Sequence, residues 1–239
     1  MRLSVSLSLL LLATAGPAAA GPLEDGIAAY NARNFDRAVE LLLPLAEKSG
    51  NPQAQEKIGR LYHRGKGLPK DAGKAAEWYR KAAEQGDAPA AARLGSMYWI
   101  GEGVPRDPEQ AAKWYELGAS KGNALAQVGI GYMSMQGSGT PVDFKVAADW
   151  FAKSAGQGDA SAMLALGTLF ELGKGVPKDV VQAYKWYALA AVDDGEYEQD
   201  VFDRAVRSRD ELAKKITRAE VEEGERAARA WKPVKRSGT

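Results

Sequence analysis

Apolar residues recur three and four positions apart through the middle of the chain, as at Ile58, Leu61 and Tyr62 and again at Leu94, Met97 and Tyr98. This spacing gathers them on one face of an α-helix, whereas a strand would alternate every second residue. A second series follows each first one. Ala75, Trp78, Tyr79, Ala82 and Ala83 form an apolar stripe, repeated around Trp114-Tyr115, Trp150-Phe151 and Trp186-Tyr187. At helical spacing such a stripe predicts core packing, so the Trp-Tyr and Trp-Phe pairs are expected inside.

The segments between these helices are equally regular. "GKGLPKDAGKAAEWY" begins at Gly65 and returns in altered form at Gly101, Gly137 and Gly173, a period of 36 residues. Gly-x-Gly permits positive φ where the chain reverses. Pro69, Pro105, Pro141 and Pro177 stop the first helix from continuing, and Asp71, Asp107, Asp143 and Asp179 stand where the second needs an N-cap. Gln110 is placed to complete a capping box with Asp107. Each unit opens with Gly then Asn or Asp (Gly50-Asn51, Gly86-Asp87, Gly122-Asn123, Gly158-Asp159), which ends one helix and caps the next. Gly59, Gly95, Gly131 and Gly167 lie inside the first helices. Glycine there costs about 1 kcal/mol relative to alanine, so its repetition implies close helix approach.

A fixed period of this kind marks stacked supersecondary units. It also disposes of a phosphate-binding reading of Gly65-Lys66-Gly67. Five residues rather than four separate Gly59 from Gly65, and Gly67 stands where a phosphate loop needs Ser or Thr.

The predicted architecture is an all-α, right-handed α-solenoid of antiparallel helix pairs. Repeat units span 50–85, 86–121, 122–157 and 158–193. Residues 21–49 form a shorter capping hairpin with Pro44 kinking its second helix, and 194–239 form C-terminal capping helices and a tail. In that tail, Thr217 and Glu220 make a capping box for a helix that stops before Pro233.

Residues 1–20, "MRLSVSLSLLLLATAGPAAA", join one positive charge to an apolar run and end in small residues. They read as a secretory signal peptide cleaved after Ala20, the run being too short to span a bilayer. The expected location is a bacterial periplasm, with no membrane insertion of the mature chain. Without Arg2, 31 basic residues face 31 acidic ones, which gives no electrostatic footprint for nucleic acid. Cysteine is absent, so disulfides and thiolate chemistry are excluded, and one histidine, His63, cannot form a histidine metal cluster. No cofactor, metal or catalytic residue is expected.

The phrase Ala-x-x-Leu-Gly, Gly-x-Gly-Val-Pro-x-Asp, Ala-x-x-Trp-Tyr resembles the Sel1-like repeats, relatives of the tetratricopeptide repeats, over residues 50–193. Unit 3 departs most, with Ser134 for the aromatic before the turn and Thr140 for the apolar residue before Pro141. The resemblance implies that first helices line a concave face carrying the recognition residues. The positions so implied include Arg60, His63 and Arg64 in unit 1, Trp99 and Ile100 in unit 2, and Leu125, Val128, Tyr132 and Met135 in unit 3. They vary between units while the packing positions do not. An aromatic and methionine anchor beside basic Arg60 and Arg64 would suit a peptide segment or another envelope protein. The implied function is a non-enzymatic interaction scaffold or regulator of the cell envelope.

The alternative implied by a cysteine-rich group of these repeats is an envelope enzyme acting on peptidoglycan or β-lactams. Its serine chemistry would want Ser-x-x-Lys, and no serine here has Lys three residues on.

Overall fold

The computed structural model describes residues 21–192 and 199–234. The expected signal peptide at 1–20 and most of the acidic break at 193–200 lie outside them. Among the described residues there are twelve α-helices and no strand. The first hairpin is α1 (Pro22–Asn31) and α2 (Phe35–Lys48). Units 1 to 4 are α3 (Pro52–Arg64) with α4 (Ala72–Glu84), α5 (Ala88–Ile100) with α6 (Pro108–Ser120), α7 (Ala124–Gln136) with α8 (Phe144–Gly156), and α9 (Ala160–Leu172) with α10 (Val180–Ala190). The chain ends in α11 (Gln199–Ala213) and α12 (Arg218–Ala230). Pro44 lies inside α2 without ending it.

Local chemistry sets these boundaries. Asn51, Asp87, Asn123 and Asp159 each accept a backbone N–H from three residues on, as do Asp71, Asp107, Asp143 and Asp179 at the second helices. Gly65, Gly101, Gly137 and Gly173 end the first helices at φ between 64° and 79°, the left-handed region that glycine enters without a Cβ penalty. Gln110 supplies only its backbone N–H to Asp107. The reciprocal box forms at Thr217 and Glu220 instead.

The second glycine of each turn serves packing between units. A Cβ on Gly103 would run into the backbone of Ala72 at the start of α4, and one on Gly139 or Gly175 would meet Pro108 or Phe144 in the same way. Each turn is thus wedged against the preceding unit's second helix.

The glycines inside the first helices are explained by a ring. Tyr79, Tyr115, Phe151 and Tyr187 lie against Gly59, Gly95, Gly131 and Gly167, where an added Cβ would stand 2.7–2.9 Å from ring carbons. In units 1 to 3 these rings, not the neighbouring tryptophans, fill the core. Tyr79 and Phe151 are 0% exposed, whereas Trp78, Trp114 and Trp150 are half-buried and pack back onto the preceding unit. This corrects the expectation that both members of each pair are core for units 1 to 3, whereas in unit 4 Trp186 and Tyr187 are both buried. Adjacent residues on a helix point about 100° apart, and here the stripe's centre falls on the second residue. Lys81 and Lys153 cover the outer faces of Trp78 and Trp150 at 4.3 and 3.9 Å from the ring centroids.

At the far end α12 packs on α10, with Gly224 against Tyr184. Trp231 meets Trp186 edge-on at 6.1 Å, and Val234 donates its N–H to Gly156 O. The last solenoid face is thereby covered by a polar-backed helix, as a repeat array requires.

Candidate functional site

First helices touch one another from unit to unit, α1 with α3, α5 with α7 and α9 with α11, so they form the inner layer. The expected recognition residues all sit on these inner helices, but they do not form one patch.

Trp99, Leu125, Val128 and Tyr132 come together around a cavity of about 160 Å3 between α5 and α7. Gly129 and Tyr115 complete its lining. The sequence reading missed both, although Gly129 carries a signal: units 1, 2 and 4 have Lys57, Arg93 and Ala165 there. Any side chain at 129 would collide with the Tyr115 ring, whose carbons stand 2.6 Å from a built Cβ. Tyr115 is held in turn, its hydroxyl donating to Ser96 Oγ at 3.0 Å. Leu125 is 45% exposed at the rim.

Tyr132 and Met135 also belong to the frame. Tyr132 meets Phe151 edge-on at 5.0 Å, and both pack on the unit 3 to unit 4 core. Val128 is buried in the same core. Units 2 and 4 carry Ser96 and Thr168 at the position of Tyr132, and each hydroxyl accepts from the second-helix tyrosine, Tyr115 or Tyr187. Phe151 has no hydroxyl, and an aromatic neighbour suits it. Ile100 is 62% exposed at the end of α5 and outside the cavity lining.

The basic residues do not form one rim. Arg60 is ion-paired with Glu56, a carboxylate only 3% exposed, which Lys57 and Arg93 also approach at 2.9 and 3.5 Å. Burial pushes the Glu56 carboxyl up, but Arg60, Lys57 and Arg93 together hold it below the usual range. A folded pKa depressed in this way gives stability that is present above the unfolded carboxylate's range and lost as pH falls through the folded value. Glu56→Gln is therefore expected to cost about 1–3 kcal/mol at pH 7 and to flatten the acid side of the stability–pH profile. Urea titrations at pH 7 and pH 3 measure both. His63 bridges units instead, its Nε2 3.0 Å from Glu102 Oε2. Arg64 is exposed and lines a different pocket, of about 360 Å3, with Arg33, Lys66, Tyr30, Asn31 and Phe35. Arg33 there holds φ 60°, the one positive φ on a non-glycine residue among those described.

A family model of the Sel1 repeat matches residues 52–87, 88–123, 124–159 and 160–191. The chain belongs to the Sel1 repeat family. A solved Sel1 repeat protein from Oxalobacter formigenes is 34% identical, with a TM-score of 0.68, over 82% of this chain and 83% of its own. Weaker likenesses are to c5321, a protective antigen of uropathogenic Escherichia coli, and to the immunity protein Pa5087 from Pseudomonas aeruginosa. The first is 20% identical (TM-score 0.40, 91% of this chain and 73% of that one), the second 17% (0.47, 78% and 81%). These two decide nothing further. No curated protein matches the chain. Sel1 repeats build protein-interaction scaffolds, and as a Sel1 solenoid this chain is one in that coarse sense. Among the described residues no helix is long and apolar enough to cross a membrane.

Proposed function

We propose that the protein is an exported, non-enzymatic Sel1 scaffold or regulator of the bacterial cell envelope. It holds an apolar segment of another envelope protein on its inner face. The observation that carries this reading is the cavity at Trp99, Leu125, Val128 and Tyr132, an apolar recess on the inner layer, floored by Tyr115 and kept open by Gly129. A recess that buries one large apolar side chain, ringed by packed neighbours, is the setting in which a few residues supply most of the binding energy. The basic pocket at Arg33, Arg64 and Lys66 suits acidic residues of the same partner near the N-terminal end. Export rests on the charge, apolar run and small residues of positions 1–20.

The test is a pulldown from envelope extract with the mature chain and the variants Leu125→Asp and Gly129→Leu. The first places a charge at an exposed rim position, and the second displaces the Tyr115 ring and closes the recess, so its melt is recorded beside the pulldown. Leu125→Asp is expected to keep the wild-type melt and to lower recovery of the partner about tenfold or more. Unchanged recovery with both variants would move recognition away from this face. Intact mass of the exported protein is expected to start at Gly21, and turnover of nitrocefin or muropeptides by the pure protein would overturn the non-enzymatic reading.

A further inference from the structure

Four copies of one unit in one chain show what each position ordinarily does. At 62, 98, 134 and 170 the chain carries Tyr, Tyr, Ser and Phe. The three rings are half-buried against the core, and the Tyr98 hydroxyl accepts from Arg80 Nη2 at 2.8 Å. In unit 3 the ring is missing. A cavity of about 460 Å3 opens at Ser134, walled by Ile130, Trp150, Val146, Thr140 and Glu116 along the turn edge of the solenoid.

A further departure falls at the same place. Val146 lines this cavity and is 39% exposed. The equivalent positions elsewhere are Lys74, Gln110 and Gln182. Lys74 in unit 1 lies over the Tyr62 ring, 5.5 Å from its centroid, so this position faces the space at issue. Unit 3 thus exchanges a polar rim for an apolar one where it gives up its inner ring. In addition, Glu116 occupies the position from which Arg80 donates to the tyrosine hydroxyl in unit 2. An acceptor has replaced a donor, and the Thr140 hydroxyl is buried in the wall with no hydrogen-bond partner.

We propose that this turn-edge cavity is a second docking site, which takes a tyrosine side chain presented by a partner protein. The incoming ring fills the space that Tyr62, Tyr98 and Phe170 fill from within, and its hydroxyl donates to the Glu116 carboxylate. The cavity size falls in the range of built ligand sites, and tyrosine joins an apolar body to one polar tip, as the lining does. The site shares no lining residue with the inner-face recess, so either can fail without the other.

The probe is N-acetyl-tyrosinamide, titrated into the intact mature chain by methyl and indole NMR, with N-acetyl-phenylalaninamide as comparison. Saturable shifts at Ile130, Val146 and Trp150 are expected, with the phenylalanine analogue about tenfold weaker for want of the hydroxyl. Ser134→Tyr supplies the ring from within, as unit 2 does, and is expected to abolish the shifts while keeping or raising the melting temperature. Val146→Lys restores the residue of unit 1 at the surface and is expected to weaken the probe even if Ser134→Tyr does not fold. Shifts that survive in Val146→Lys, equal responses to the two amides, or no saturable shift would overturn the assignment. Self-association that Ser134→Tyr abolishes, seen by sedimentation, would make the occupant a second copy of this chain and overturn the partner as well.

Discussion

Phe151→Ala is expected to lower the unfolding free energy by about 3–5 kcal/mol, while Trp114→Ala lowers it by only about 1–2 kcal/mol. Phe151 is fully buried, lies against Gly131 and holds Tyr132 edge-on, so truncation leaves a void that neither the glycine backbone nor the next helix can fill. Trp114 is larger but half-buried, and its indole N–H is buried without a partner, which offsets part of what its rings contribute. Urea unfolding of the two variants compares them directly. An equal or larger loss for Trp114→Ala would mean that the tryptophans, not the rings on the glycines, hold the hairpins together.

The second large effect concerns the turns. Gly103→Ala is expected to cost more than about 3 kcal/mol, against about 1–2 kcal/mol for Gly122→Ala. Both residues hold positive φ, 70° and 82°, so both substitutions strain the backbone. Only Gly103 also meets neighbouring backbone, the carbonyl of Ala72 and the amide of Gly73, which cannot rotate aside. A Cβ on Gly122 has nothing within 4 Å. The difference between the two variants isolates the contact between units from the cost of the dihedral. Similar losses would show that the second turn glycine serves chain reversal alone.

The repeated frame was legible in the sequence because its signals are local. A glycine at positive φ, a proline that stops a helix and an aspartate that caps the next each act over a few residues, and four copies remove ambiguity. What depends on neighbours from other units was not legible. Trp114 and Tyr115 sit side by side on one apolar stripe, and only the position of α5 decides which is inside. Arg60 read as part of a basic rim because the sequence does not show that Glu56, four residues before it, is buried. Arg93, from the next unit, helps make a buried ion cluster there instead. The recess at Trp99 was half legible: its rim residues were named, but its floor came from α6 and its opening from a glycine that breaks the repeat.

The inner-face reading is tested most directly by placing a photo-crosslinking residue, in living cells, at Leu125 on the recess rim and at Glu84, an exposed position at the end of α4. A scaffold that binds through its inner layer gives a discrete adduct from Leu125, lost when Trp99→Glu puts into the recess wall the residue that unit 4 carries there as Glu171, and none from Glu84. An adduct from Glu84 alone, or one from Leu125 that persists with Trp99→Glu, would contradict it.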